Sequence, residues 1–446
     1  MTKRLQARDL AAMLDDARAA TLAFVSTLGT DMLLGPKLDV VNPILWEIGH
    51  VAWFQEQFVL KQLDNRPPLR KEADALYDSM RVAHDDRWDL PLPSLEWTEA
   101  YGRDVRNALV ARLTEPLASE IDSYFYQLVT FHEDMHSEAF CYSRQTLGLP
   151  GVKFGPAVAA DTAGTATWGP WPGDAAIPGG TFMLGASRDA AFVFDNEKWA
   201  HEHAAAPFAM ARAPVTNAEF AAFVEANGYE QKAYWSEAGW AWLKTSGVSM
   251  PAYWEGGPRA WRLRRFDRLI DLPQHQPVMH VNWHEANAYC TFADRRLPTE
   301  LEWEIAATGE AGLDHRSLSS VKRRIPWSKT GACGTGDDRA QIMPANLDGA
   351  AGGPVDVSAH AAGDSAFGCR QMIGNVWEWT QSDFLPYPGF SADAYKEYSE
   401  PWFGTRKVLR GGCWATRSRL VTPVYRNFFT PDRRDIFAGF RTCLKS

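Results

Sequence analysis

The chain has 446 residues, 46% of them apolar and 23% charged, which is long for a single core and indicates two soluble globular domains. A net charge of −9 with no basic run excludes a nucleic-acid partner, and no stretch approaches the ~18 uninterrupted apolar residues of a membrane span. Six scattered cysteines (Cys141, Cys290, Cys333, Cys369, Cys413, Cys443) and an amphipathic rather than signal-like N-terminus predict a cytoplasmic protein without structural disulfides.

In chain order, helical apolar spacing predicts helices near Ala7–Leu28, Pro43–Leu63, Trp97–Leu113 and Ser119–Leu147, the pattern of an antiparallel four-helix bundle over residues 1–152. Asn42 is the expected cap of the second helix, with Pro43 in its first turn, and Gly148-Leu149-Pro150-Gly151 stops the fourth. Helices two and three are joined by Asp64–Glu96, a connection long enough to suggest function. Residues 153–175, rich in Gly, Ala, Pro and Thr, read as a linker to a second domain over 176–446. Most of the 19 tryptophans lie in this second half, which favours a loop-rich, aromatic-packed fold. Short strands are expected at Thr181–Leu184, Val278–Val281 and Lys407–Leu409, and helices at Asn217–Ala226 and Trp283–Ala293. A further helix begins after Pro298, with Thr299 as cap and Glu302 in a capping-box position.

The chemistry is concentrated in His132-Glu133-Asp134-Met135-His136-Ser137-Glu138. On a helix, His132 and His136 leave the same face and can share one divalent metal. Glu138 lies about 200° round from His136 and is better placed to orient a histidine or close a neighbouring contact. A third ligand is available in His50, isolated in the apolar second helix beside Gly49, which lets another group approach closely. Three histidines leave open positions suited to oxygen-activating Fe(II), and they equally suit a catalytic zinc; spacing does not choose.

The second half carries Pro178-Gly179-Gly180-Thr181-Phe182-Met183-Leu184-Gly185, Pro277-Val278-Met279-His280-Val281-Asn282-Trp283-His284-Glu285, Arg296-Leu297-Pro298-Thr299-Glu300, Gly374-Asn375-Val376-Trp377-Glu378-Trp379, Arg410-Gly411-Gly412-Cys413-Trp414 and Gly439-Phe440-Arg441. In order, these resemble the motifs of the formylglycine-generating-enzyme (sulfatase-modifying-factor) fold, a C-type-lectin-related architecture. The resemblance implies an α+β protein with a DinB-like helical bundle followed by that domain. The copper-binding cysteine pair of formylglycine-generating enzymes is not matched: its nearest slots hold Thr416 and Val421. The bundle with His50, His132 and His136, the second fold and the terminal segment Tyr425–Arg441 together resemble the ergothioneine-type sulfoxide synthases, non-haem iron enzymes that use O2 to join sulfur to hercynine. That resemblance implies Fe(II) on the three histidines and the betaine of hercynine against Asn427 and Phe428, where an aromatic face suits a trimethylammonium group. It adds Phe429 and Trp414 as substrate-binding residues and Tyr387 as a proton or electron donor.

Departures from the family pattern bear on the second substrate. Relatives that take γ-glutamylcysteine have Asn-Trp-Asp where this chain has Asn427-Phe428-Phe429, and an arginine-rich stretch where it has Arg81-Val82-Ala83-His84-Asp85-Asp86-Arg87-Trp88-Asp89. Asp85, Arg87 and Trp88 suit a polyhydroxylated ligand better than a doubly carboxylated peptide. Met135 replaces the glutamine that the family places before the second histidine of the pair. These changes resemble those of selenoneine synthases, which join a selenosugar to hercynine. The alternatives are a sulfur donor (γ-glutamylcysteine, cysteine or a thiosugar), a zinc-dependent transferase or hydrolase, and a lectin-like module without chemistry.

Overall fold

The computed structural model describes residues 4–154, 169–328 and 344–445. They divide into two compact units, Met1–Phe154 with Asp189–Phe192, and Gly155–Arg188 with Val193–Ser446. Most of the expected linker, 155–168, and Cys333 lie outside the described residues, and the strand Asp174–Ile177 begins within the linker's last two positions.

The first unit is built on four long helices, Ala7–Val25, Ile44–Gln55, Leu95–Arg112 and Glu120–Thr146. The first packs on the fourth, and the second on both the third and the fourth. The first helix buries Leu10, Leu14, Ala17, Thr21 and Phe24, the three-and-four spacing of one apolar face. Ser94 and Ser119 cap the third and fourth helices, accepting from the amides of Trp97 and Asp122. The second helix continues past Gln55 as a π-helical turn, Glu56–Lys61. Its cap differs from expectation. Pro43 occupies the cap position without a side-chain bond, because the Asn42 amide oxygen instead accepts from Arg87 Nη1 at 2.6 Å. Within this unit Phe192 stacks on Tyr124 (5.3 Å) and meets Phe131 edge-on (5.0 Å).

The second unit carries two four-stranded sheets. One has the spatial order Asp174–Ile177, Phe208–Ala211, Cys443–Leu444, Arg295–Arg296, all antiparallel. The other has the order Asn427–Phe429, Lys407–Arg410, Trp377–Asp383, Ala438–Gly439, with the last pair parallel. A hairpin pairs Gly180–Leu184 with His201–Ala205, and a three-stranded meander runs through Trp254–Glu255, Arg262–Arg265 and Arg268–Asp271. Helices form at Asn217–Glu225, Trp283–Phe292 and Glu300–Thr308, each opened by a capping box, that of Thr299 and Glu302 included. Val278–Val281 is not a strand: His280 stands at φ +63°, which breaks the extended run, and beside it lies an isolated bridge from Thr216 to Pro277. Gly374 is required where it is, because at φ +81° a Cβ would meet the Asn346 carbonyl oxygen at 2.4 Å.

The motif residues of the second unit form its interior. Glu378 receives the Trp303 indole at 2.7 Å and the fork of Arg441 at 2.6 and 2.7 Å. Arg410 binds Glu300 and Glu304, Arg426 also binds Glu300, and Arg434 binds Glu285. Cys141, Cys290, Cys369, Cys413 and Cys443 are buried, and among the described residues none forms a disulfide. Among the described residues no helix is long and apolar enough to cross a membrane.

Candidate metal centre

The second and fourth helices bring His50, His132 and His136 together, with one ligand atom from each lying within 4.8 Å of the others. Ring centroids are 5.1 Å apart for His50 and His132, 5.0 Å for His50 and His136, and 4.6 Å for His132 and His136. The outer nitrogens of two rings are committed. His50 Nδ1 donates to the Tyr77 carbonyl at 2.8 Å, and His136 Nδ1 donates to Glu47 Oε1 at 2.6 Å. Each bond fixes the proton on Nδ1 and leaves a lone pair on Nε2, the arrangement that metal-binding imidazoles need. Gly49 makes the first contact possible: a Cβ there would lie 2.2 Å from the Tyr77 ring.

Burial, and then the neighbouring His136, hold His50 and His132 well below the ordinary histidine value of 6.5, so both rings are neutral donors. Aromatic faces flank them. Trp46 stacks on His50 at 4.8 Å and 9°, and Phe54 on His132 at 3.5 Å and 4°. Three neutral nitrogen donors with oriented outer nitrogens fit a divalent transition metal of borderline softness. Glu138 closes a neighbouring contact, accepting the Tyr142 hydroxyl one turn on, and Glu47 on the neighbouring helix orients His136. In the sequence it reads as an ordinary first-turn acid, and its one distinguishing mark is a charge inside an otherwise apolar run, three residues before His50. Met135 is half-buried on the same helix as the histidine pair.

Residues 13–138 match the DinB superfamily and residues 160–446 the sulfatase-modifying factor enzyme 1-like domain. The chain is 36% identical over 449 residues to a hercynine oxygenase of Mycolicibacterium thermoresistibile, an alignment covering 97% of this chain and 94% of that one. The chain belongs to the hercynine oxygenase family. A hercynine oxygenase of Mycobacterium tuberculosis is likewise 36% identical, over 97% of both chains. A formylglycine-generating enzyme of Thermomonospora curvata is 33% identical, covering 60% of this chain and 92% of that one.

Within this hercynine oxygenase family member, the connection between the second and third helices carries a short 3-10 turn, His84–Trp88. Arg87 reaches from it over the Trp46 ring at 4.0 Å, so a cation, an indole and the His50 imidazole form one stack. Trp88 donates to the Gly35 carbonyl at 3.2 Å, and Asp85 is exposed beside His84 at 3.0 Å. In the second unit Asn427, Phe428 and Phe429 are half-buried on the edge strand of their sheet. Asn427 Oδ1 accepts from the Phe428 amide at 2.8 Å, Phe428 stacks on Phe384 at 4.0 Å, and the Arg433 guanidinium lies 5.1 Å from the Phe429 ring. Trp414 is buried between Phe437 and Phe266. Tyr387 is buried against the Arg426 guanidinium (4.1 Å) and His201 (4.6 Å), and its hydroxyl has no hydrogen-bond partner among the described residues. Burial pushes that phenol well above its ordinary value, so it keeps its proton.

Proposed function

We propose that this member of the hercynine oxygenase family is an O2-dependent, mononuclear non-haem iron(II) enzyme that joins the imidazole of hercynine to a selenosugar through a carbon–selenium bond. The observation that carries the reading is the three-histidine cluster in a chain that aligns almost end to end with hercynine oxygenases. His50, His132 and His136 would hold the iron, which would supply the redox chemistry with O2. The Tyr77 carbonyl and Glu47 keep His50 and His136 in the tautomer that binds metal. Asn427 and Phe428 would recognise the betaine of hercynine, and Trp414 and Phe429 are assigned to the same substrate surface. Tyr387, protonated and without a hydrogen-bond partner among the described residues, is assigned as the proton or electron donor.

Two features support a selenosugar over a doubly carboxylated thiol. Phe429 leaves no carboxylate where a peptide's ammonium group would need one. Arg87, the single arginine between Asp85 and Asp89, already rests on Trp46 and donates to Asn42. The test is product analysis by mass spectrometry after iron-loaded protein meets hercynine, O2 and a panel of donors. A selenium-bridged hercynine–sugar adduct is expected. Turnover with γ-glutamylcysteine and none with a selenosugar would instead establish the sulfur-transferring alternative, and stoichiometric zinc with activity indifferent to O2 would overturn the iron assignment.

A further inference from the structure

Immediately after His132 the fourth helix carries Glu133, an acid with no exposed side-chain surface. It is one of the most fully bonded carboxylates of the first unit. Oε1 accepts from Thr21 Oγ1 at 2.8 Å and lies 2.9 Å from Arg18 Nε. Oε2 accepts from Gln55 Nε2 at 2.6 Å and from Arg18 Nη2 at 3.4 Å. Arg18 Nη2 also reaches Gln55 Oε1 at 3.4 Å. The third helix takes part by leaving room: a Cβ at Gly102 would lie 2.4 Å from Arg18 Nη1. Three of the long helices therefore meet at this one carboxylate, with Arg18 and Thr21 from the first, Gln55 from the second and Glu133 from the fourth, while Gly102 of the third makes room for Arg18.

The location matters because Gln55 and Glu133 belong to the two helices that carry the histidines. Gln55 follows His50 by five residues on its helix, and Glu133 adjoins His132 on the other. A buried ion pair is weak evidence of net stability, since desolvating both charges cancels much of their attraction. A role in fixing register is the better-attested use of such groups. At about 6 Å from the helix axis, a rotation of roughly 20° moves an atom by about 2 Å, a distance comparable to a whole metal–nitrogen bond. Apolar packing tolerates sliding and rotation far better than a carboxylate does when three directional donors converge on it.

We propose that Glu133, with Gln55 and Arg18, is a positioning clip that sets the rotation of the His132–His136 helix against the His50 helix, and so sets the geometry and affinity of the metal centre. This rests on the reading that the three histidines bind a metal. The experiment titrates the full-length apo protein with Co(II), following its visible absorption, for the wild type, Gln55→Leu, Thr21→Val and Glu133→Gln, well below each variant's melting temperature. Gln55→Leu removes one of the direct bonds between the two ligand helices, leaving that of His136 to Glu47 in place, and is expected to weaken Co(II) binding roughly tenfold and to alter the absorption envelope. Glu133→Gln is expected to weaken binding at least as much, and Thr21→Val, which removes one peripheral donor, by less than threefold. Variants that lose thermal stability yet bind Co(II) with wild-type affinity and spectrum would reduce the network to a structural one and overturn the proposal. A wild-type chain that binds no Co(II) would overturn the metal reading itself. Gln55→Leu and Thr21→Val keep the test decisive if Glu133→Gln fails to fold.

Discussion

In the second domain the buried arginines Arg410 and Arg441 end on carboxylates, Arg410 on Glu300 and Glu304 and Arg441 on Glu378. In the bundle three imidazoles converge instead, two of them held by their outer nitrogens so that the inner ones turn toward a common point. The first arrangement neutralises itself and needs nothing further. The second gathers lone pairs that repel unless a cation joins them. A buried polar cluster that balances its own charge is scaffold, and one that balances only with an added ion is a site. That difference separates the Glu and Arg residues of the second domain's motifs, which hold the fold, from the histidines of the bundle.

The sharpest break of this comparison is His132→Ala. It removes one of the three proposed ligands, and the expected result is loss of stoichiometric metal and a fall in turnover exceeding ~100-fold, more than the loss of an orienting group produces. Metal analysis after anaerobic purification, with turnover measured in parallel, checks it; undiminished metal content would move the centre away from these histidines. The matching change in the second domain is Arg410→Met, which leaves Glu300 and Glu304 to Arg426 and Lys322. It is expected to cost about 3–5 kcal/mol in chemical denaturation while leaving the metal content of the folded fraction unchanged.

These contrasts explain what was legible in the sequence. The histidine pair was visible because helical spacing alone puts positions four apart on one face, and His50 because an imidazole is conspicuous in an apolar run. The order of the second domain's motifs carried the fold, and Thr299 with Glu302 forms the expected capping box because both partners lie within one turn. Contacts made across the chain were hidden. Asn42 looked like a cap, but Arg87, 45 residues away, takes its amide oxygen. Nothing local in the sequence marks Glu47 or Glu133, whose partners lie 89 and 78 residues distant. His280 reversed its backbone inside a run that alternation read as strand.

Glu197 offers a pH test of the second domain's self-balancing interior. Burial, opposed by the Phe194 amide and by Arg410 and Arg426, raises its carboxyl from 4.5 to about 8. Between those values the folded protein keeps a proton that the unfolded chain releases. Its contribution to stability is therefore complete below pH 4.5, falls as pH rises, and is gone above about 8. The slope is ~1.4 kcal/mol per pH unit at most. Glu197→Gln, which cannot titrate, should remove that slope from denaturation curves collected between pH 5 and 8. An identical pH dependence in wild type and variant would mean that Glu197 is ionised in the fold and that the surrounding arginines have charge to spare.

The smallest effect sharpens the comparison from the bundle side. Glu47 meets His136 through one oxygen, while its other oxygen is buried without a hydrogen-bond partner among the described residues. Glu47→Gln retains an oxygen that can accept from His136 Nδ1, so the ring keeps its direction, but the negative charge behind it is lost. If the carboxylate only aims the imidazole, metal affinity should hardly change. If it also strengthens the ring as a donor, affinity should fall by about tenfold, with folding stability within ~1 kcal/mol of wild type because the variant no longer buries a charge. We expect the second result in a Co(II) titration. Equal affinities would mean that orientation alone is what the bundle contributes to His136, and that the charge on Glu47 answers to the Arg87 guanidinium stacked on the neighbouring Trp46.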